Sequence, residues 1–195
     1  MKNKLDFYRF GANLIKRFNL AVKRDERMAG LVLPHLSSGE KVLDIGCGLG
    51  RVTKIIKDKG YKVTALDVRD LSIVDDICPV IYDGKKLPFA DNSFDVSLIV
   101  TVLHHTPDPE AILKEAKRVS KKIIIVEDVY KNVFQKHFTF FNDSLLNFEF
   151  FGHPHSNKDD LGWKETFEEL KLTLLDDRLL SIRLICHGVY CLAAT

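Results

Sequence analysis

The sequence lacks the features that mark secreted and membrane-spanning proteins. It has no stretch approaching the ~20 consecutive apolar residues of a membrane-spanning helix, and its first residues lead into no apolar secretory segment. Cysteine is scarce and scattered, with no C-x-x-C pair, and occurs at Cys47, Cys78, Cys186 and Cys191. We therefore expect a soluble cytoplasmic protein whose thiols are reduced.

An excess of charge of one sign is also absent. The chain has 29 Lys and Arg residues against 27 Asp and Glu, a formal net charge of +2, so its charge does not favour a nucleic acid partner. With 195 residues, 46% of them apolar, the chain has enough material for one hydrophobic core. We expect a single domain, present as a monomer or a homodimer.

Short, almost continuously apolar runs alternate with helical patterns along the chain. We predict strands over residues 41–45, 61–67, 79–82, 95–100 and 122–127. Amphipathic helices are predicted within residues 7–36, after the first strand, and over residues 109–119. Strands of this kind are buried on both faces, so the alternation predicts a doubly wound α/β fold with a parallel sheet.

The end of the chain departs from this alternation. A helical pattern over residues 163–170 is followed by β-rich runs over 179–186 and 189–193, separated only by His187 and Gly188. Parallel neighbours need a connection of roughly a dozen residues, so these two runs are predicted to form an antiparallel hairpin. The predicted fold is a mostly parallel, seven-stranded sheet with an antiparallel C-terminal hairpin and helices on both faces.

The turn after the first predicted strand is the most informative stretch. Its residues are Asp44-Ile-Gly-Cys-Gly-Leu-Gly50, and alternate glycines allow positive φ angles and close approach of a ligand to the amides at a helix start. Asp67 ends the second strand about twenty residues beyond, where a nucleotide site places a carboxylate for ribose hydroxyls. The third small residue of the dinucleotide fingerprint would fall on Arg51, which disfavours a nicotinamide or flavin cofactor.

Two further segments follow this turn in order. Residues 82–96 (YDGKKLPFADNSFDV) connect the third predicted strand to the fourth, and residues 102–109 (VLHHTPDP) come after the fourth. Over residues 41–128 the sequence resembles the class I S-adenosylmethionine-dependent methyltransferases, in particular the small-molecule branch with a D-x-G-C-G-x-G turn. The resemblance implies S-adenosyl-L-methionine as the cofactor and methyl transfer as the activity.

The resemblance also implies a set of cofactor-binding residues, which are Asp44, Gly46, Cys47, Gly48, Gly50, Asp67, Val68, Asp83, Gly84 and Thr101. In this set Asp44 lies near the methionine ammonium, Asp67 holds the ribose, and Asp83 accepts from the adenine amino group. Local roles stay open for the same carboxylates, since Asp44 could cap backbone amides and the other two could begin turns. Cys47 is expected to be a small residue that fits the turn and not a nucleophile.

Two histidines are the candidates for a catalytic base. A histidine near its ordinary pKa suits removal of a proton from a hydroxyl acceptor at neutral pH. His105 follows His104 at the carboxyl edge of the predicted sheet, where open α/β sheets bind ligands, and His153 lies in a later loop. A structural role stays open for each. No metal is expected, because His153 and His155 have no separate partner cluster in the chain.

Phenylalanine is concentrated between residues 134 and 151, after the fifth predicted strand. The resemblance implies a single domain with an N-terminal helical cap (1–38), a cofactor-binding core (39–128), an aromatic lid (129–162) and a C-terminal helix and hairpin (163–195). Such a lid favours a small apolar or aromatic acceptor, with oxygen preferred over nitrogen or carbon. The same segment could instead only pack on the sheet, or rest on a membrane surface.

Two other functions stay open. Methylation of tRNA or protein is disfavoured, because Thr101-Val-Leu-His104 stands where several such families have Asn/Asp-Pro-Pro-Tyr/Phe. A non-catalytic protein that binds S-adenosylmethionine would have the same glycines and the same carboxylate at Asp67. Cofactor binding without methyl transfer would distinguish it from an enzyme.

Overall fold

The structure is a computed structural model that describes residues 20–130, 156–182 and 185–194. The strands in these residues are β1 (Lys41–Ile45), β2 (Lys62–Asp67), β3 (Val80–Ile81), β4 (Phe94–Val100), β5 (Ser120–Val129), β6 (Thr173–Ile182) and β7 (Ile185–Ala193). The helices are α1 (Leu20–Val32), α2 (Arg51–Asp58), α3 (Pro109–Val119) and α4 (Asp160–Glu169), with 3-10 turns at Leu33–His35 and Leu103–His105. The strands form one sheet in the order β3-β2-β1-β4-β5-β7-β6.

Strands β1 to β5 run parallel to one another and β7 runs antiparallel to both β5 and β6, which confirms the predicted fold class. Helices α3 and α4 pack on one face of the sheet, and α1 and α2 pack on the other. In β5 the consecutive residues Ile123, Ile124, Ile125 and Val126 are all fully buried, because both faces are covered. Helices cover both faces of the sheet, and the carboxyl ends of the parallel strands β1, β2 and β4 lie together at one edge.

The predicted C-terminal hairpin is present, but the position predicted for its turn is wrong. His187 and Gly188 lie inside β7, where both pair with β6 on one side and β5 on the other. A Cβ at Gly188 would collide with the ring of Tyr190, so this glycine serves close packing within the strand. His187 lies across from Asp128 of β5, with 2.7 Å between its Nδ1 and the carboxylate.

The outer segments are described only in part. Helix α1 is the described portion of the predicted N-terminal helical region, whose residues 7–19 lie outside the described residues. The phenylalanine-rich segment 134–151 and His153 lie outside them too. None of the helices in the described ranges is long and apolar enough to cross a membrane.

Candidate active site

The predicted glycine turn joins β1 to α2, and Gly46, Gly48 and Gly50 have φ angles of 76°, 52° and 76°. A Cβ at Gly46 would lie 2.6 Å from a methyl group of Val102. One at Gly50 would lie 2.8 Å from the Ser72 hydroxyl, so close packing excludes side chains at both positions. A Cβ at Gly48 would meet no atom within 4 Å. The bare peptide of Gly48 therefore borders open space, as expected where a ligand lies against the backbone.

Asp67, the last residue of β2, ties the second strand to this turn. Its Oδ2 accepts a hydrogen bond of 2.8 Å from the Gly48 amide, and its Oδ1 accepts one of 3.1 Å from the Arg69 amide. The side chain lies on the wall of a cleft at the carboxyl edge of the sheet. Both alternatives left open by the sequence fit this geometry, because a carboxylate that accepts from a local turn keeps lone pairs for a ligand.

Asp44 is buried in β1 beneath the turn, with only 2% of its surface exposed. Its carboxylate accepts a hydrogen bond of 2.5 Å from the hydroxyl of Thr53 in α2. Burial raises the pKa of Asp44 to about 6, although the Thr53 bond opposes the rise and the charge of Asp67 adds to it. At neutral pH the ionised form of Asp44 is therefore destabilised by its burial. A cationic group of a ligand beside it would stabilise the ionised form.

The cleft has a volume of 420 Å³ and lies between the glycine turn, the end of β2, helix α1 and the stretch after β4. The predicted cofactor-binding residues that line it are Asp44, Gly46, Cys47, Gly48, Asp67, Val68 and Thr101. Burial raises the pKa of the Cys47 thiol, in agreement with a small packed residue and not a nucleophile.

The predicted cofactor-binding residues outside this lining are Gly50, Asp83 and Gly84. Asp83 is exposed, and its carboxylate accepts hydrogen bonds of 2.9 and 3.3 Å from the amides of Lys85 and Lys86, which lower its pKa. This is the local turn that the sequence also allowed, and the predicted contact with adenine stays a prediction. Tyr82, which the sequence analysis did not single out, lines the cleft from this part of the chain.

Two arginines that the sequence analysis did not assign to binding also line the cleft. Arg51 donates from Nε to Asp25 of α1 at 2.7 Å, while its Nη1 and Nη2 atoms are buried and bond to no described residue. Arg24 donates from Nη2 to the Thr101 hydroxyl at 3.1 Å. Because buried unpartnered N–H groups are costly, Arg51 suits a site that receives an anionic group such as a carboxylate.

The stretch after β4 places its two neighbouring histidines in different surroundings. It begins at Thr101, whose φ of 53° lies in the left-handed region that β-branched residues rarely adopt. His105 lines the cleft, so it stays a candidate base. His104 is 1% exposed, and its Nδ1 lies 2.5 Å from the carboxylate of Glu127, which the sequence analysis missed. A charge directly after the apolar run of β5 was the available signal for Glu127.

Comparison with known proteins supports a methyltransferase domain in the central part of the chain. Residues 43–123 match the model of a family described as "Methyltransferase domain". These residues, less than half of the chain, are similar to methyltransferase domains. Three features of the cleft fit S-adenosylmethionine, the cofactor that the sequence resemblance implies: the bare Gly48 peptide, the Asp67 carboxylate and the unpartnered N–H groups of Arg51.

Two curated relatives of the methyltransferase domain differ in the atom that they methylate. Sterol 4-C-methyltransferase strm-1 of Caenorhabditis elegans is 32% identical over 52% of this chain and 35% of its own length. Ubiquinone biosynthesis O-methyltransferase of Idiomarina loihiensis is 32% identical over 43% of this chain and 39% of its own length. The chain thus spans little more than a third of these relatives. A SAM-dependent methyltransferase structure from Methanosarcina mazei, at 19% identity and a TM-score of 0.62 over 84% of this chain and 96% of its own, shows the same fold.

Proposed function

We propose that this protein transfers a methyl group from S-adenosylmethionine to a small apolar or aromatic molecule. The observation that carries the proposal is the cleft at the carboxyl edge of the sheet, where Gly48 leaves bare backbone beside the Asp67 carboxylate. Open α/β sheets bind their ligands at this edge. The cleft also includes His105, so groups suited to the cofactor and to the acceptor share one space.

Three charged side chains hold the cofactor in this proposal. Asp67 accepts hydrogen bonds from the ribose hydroxyls, using lone pairs that the turn amides leave. Asp44 faces the methionine ammonium, whose positive charge stabilises the buried carboxylate. Arg51 receives the methionine carboxylate on the two N–H groups that have no partner among the described residues.

The reaction requires little of the protein beyond alignment and exclusion of water. S-adenosylmethionine supplies a methyl carbon that its sulfonium already activates. Thr101, His105 and Thr106 line the cleft on the side that follows β4. In this proposal Thr101 lies by the methionyl end of the cofactor, and His105 and Thr106 contact the acceptor. His105 takes the proton when the acceptor atom is a hydroxyl oxygen, with His153 as the second candidate for that role.

An apolar acceptor is supported by two observations. The names of the two curated relatives point to a sterol and to the biosynthesis of ubiquinone, one methylated on carbon and one on oxygen. In this chain the segment over residues 134–151 is rich in phenylalanine, and acceptor pockets are lined mainly by apolar side chains. We propose that this segment and residues 1–38 cover the cleft and that the covering region contacts membrane lipid when the acceptor is lipid-soluble.

The test has a binding arm and a transfer arm. Calorimetry with S-adenosylhomocysteine measures cofactor binding, and methyl-labelled S-adenosylmethionine measures transfer to a sterol, a polyprenyl catechol, a polyprenyl hydroquinone, bulk tRNA and a protein extract. We expect binding and label in one of the organic-soluble probes. Label found only in tRNA or protein would show that the acceptor is a macromolecule and not a small apolar molecule. Binding with no transfer to any acceptor would favour a non-catalytic cofactor-binding protein.

A further inference from the structure

Glu127 is a fully buried carboxylate at the same edge of the sheet as the cleft. All of its hydrogen bonds within the described part of the chain go to one short stretch after β4. Oε1 accepts from the Val102 amide at 2.7 Å and from the Leu103 amide at 2.6 Å, and Oε2 lies 2.5 Å from Nδ1 of His104. A buried carboxylate persists only when its oxygens are satisfied, so Glu127 and this stretch hold each other in place.

The stretch that Glu127 holds forms one wall of the cleft. Thr101 begins it in a left-handed backbone conformation, which persists only where surrounding contacts enforce it. The Val102 side chain occupies the space that a side chain at Gly46 would need, so it presses against the glycine turn. His105 ends the stretch with its ring 4.0 Å from the ring of His104, and it faces the cleft.

The contacts of Glu127 are poorly explained by a role in stability alone, as a comparison with Glu40 shows. Glu40 anchors a loop while partly exposed: it accepts a hydrogen bond of 2.7 Å from the Ser37 amide and pairs with Lys122 at 2.9 Å. That side chain is 19% exposed and lies away from the cleft. Full burial of a carboxylate is no efficient way to stabilise a fold, because apolar residues of similar volume often serve as well. The placement of Glu127 is therefore better explained by the stretch that it orients.

We propose that Glu127 is a positioning residue for methyl transfer, which holds residues 101–105 so that His105 faces the acceptor. This inference rests on the proposed function. It assigns to Glu127 an effect on the alignment of the acceptor and not on the affinity for the cofactor. In the described part of the chain, Glu127 forms no hydrogen bond with the glycine turn or with Asp67, which bind the cofactor in the proposed function.

The test compares the wild type with Glu127→Gln and with Glu40→Gln as the matched control. In Glu127→Gln the amide oxygen still accepts from the backbone, but an NH2 group replaces the oxygen that faces His104. Turnover of the best acceptor is expected to fall about tenfold or more, since small misplacements at a reacting centre have effects of this size. The KM for S-adenosylmethionine should stay within about threefold, as for a group that acts in the transition state alone. Amide exchange at Val102 and Leu103 should accelerate.

The control and a second variant keep the test decisive. Glu40→Gln should leave turnover and exchange at residues 101–105 unchanged, whatever it does to the melting temperature. If Glu127→Gln does not fold, His104→Asn keeps an N–H donor toward Glu127 and removes the ring beside His105, and it should lower turnover in the same way. Unchanged turnover in the folded variant overturns the proposal, and so does a KM for the cofactor that rises as much as turnover falls.

Failure of the proposed function would look different. A wild type that binds S-adenosylhomocysteine and methylates none of the probes contradicts the methyltransferase activity. In that event Glu127→Gln and the wild type can still be compared by amide exchange at residues 101–105 and by the imidazole NMR signals of His105, both measured with S-adenosylhomocysteine bound. Identical exchange rates and identical signals in the two proteins would then refute the positioning role.

Discussion

The amide of Gly48 donates a hydrogen bond of 2.8 Å to the carboxylate of Asp67, across 19 residues of sequence. This bond joins the end of β1 to the end of β2 at the floor of the cleft. The glycine beside it borders open space, whereas Gly46 and Gly50 are tightly packed. The three glycines of the turn therefore serve two purposes, and only the middle one leaves room for a ligand.

Gly48→Ala, compared with a control glycine, should distinguish loss of space for the ligand, which lowers affinity, from backbone strain, which lowers stability. A methyl group at this position meets no protein atom but occupies the space beside the bare peptide, so affinity for S-adenosylhomocysteine should fall by more than about tenfold, or 1.4 kcal/mol. Gly60→Ala is the matched control, because Gly60 also has a positive φ and open surroundings but lies outside the cleft. Both changes should lower stability by about 1 kcal/mol. If Gly48→Ala and Gly60→Ala bind S-adenosylhomocysteine with equal affinity in calorimetry, the cofactor does not lie against Gly48.

Asp44→Asn should stabilise the folded protein at neutral pH. The folded-state pKa of about 6 exceeds the ordinary 3.8, so the folded protein binds more protons than the unfolded chain between these values, and stability falls as the pH rises through that window. Removing the charge should add about 2 to 3 kcal/mol above pH 6 and abolish this slope in urea unfolding. The same change should weaken cofactor binding, since the ammonium loses its partner.

Asp95→Asn is a control for that measurement, because its effect on stability at neutral pH should have the opposite sign. The hydrogen bond from Lys121 and the amide of Lys41 lower the pKa of Asp95, at the far edge of the sheet from the cleft. This carboxylate therefore contributes stability above its ordinary pKa and loses it as the pH falls. Its removal should destabilise the protein at neutral pH and leave cofactor binding unaffected.

Arg51→Met should lower affinity only for ligands that have the amino-acid group. If the unpartnered N–H groups of Arg51 receive the methionine carboxylate, affinity for S-adenosylhomocysteine should fall about tenfold or more. Affinity for 5′-methylthioadenosine, which lacks that group, should change by less than about twofold. Parallel losses for both ligands in calorimetry would show that Arg51 acts through the packing of α1 against α2 and not through the carboxylate.

His105→Asn should reduce turnover of a hydroxyl acceptor without reducing cofactor affinity. Loss of a general base costs about a hundredfold in rate or more, and His105 is the described histidine that lines the cleft. His35→Asn is a suitable control, because His35 lies in the 3-10 turn before β1, outside the cleft. Steady-state kinetics with the labelled cofactor would decide. Full activity in His105→Asn would leave this residue as a wall of the pocket and turn attention to His153.

The sequence predicted those parts of the fold that depend on local pattern. Buried strands such as β5 are apolar at consecutive positions, so their order and parallel arrangement followed from the alternation with helices. The hairpin turn was misplaced because Gly188 has the composition of a turn and the environment of a packed strand, where the ring of Tyr190 needs its space. Nothing local distinguishes these two uses of glycine.

The residues that line the candidate cleft could be predicted where a motif defines them, and were missed where the chain folds back on itself. The glycine turn and Asp67 lie where the pattern placed them, whereas the turn containing Asp83 lies outside the cleft. Arg24 and Glu127 reach the site from α1 and β5, at separations of 77 and 25 residues from Thr101 and Val102, their partners after β4. Such contacts depend on the packing of whole elements, which a single sequence does not specify.

The methyl groups of Val102 stand where a side chain at Gly46 would otherwise stand, and this interlock joins the two walls of the cleft. An engineer who trims Val102 to admit a bulkier acceptor therefore also loosens the packing of the glycine turn. Redesign of acceptor choice in this scaffold should begin at Thr106, which lines the cleft and is not part of this interlock.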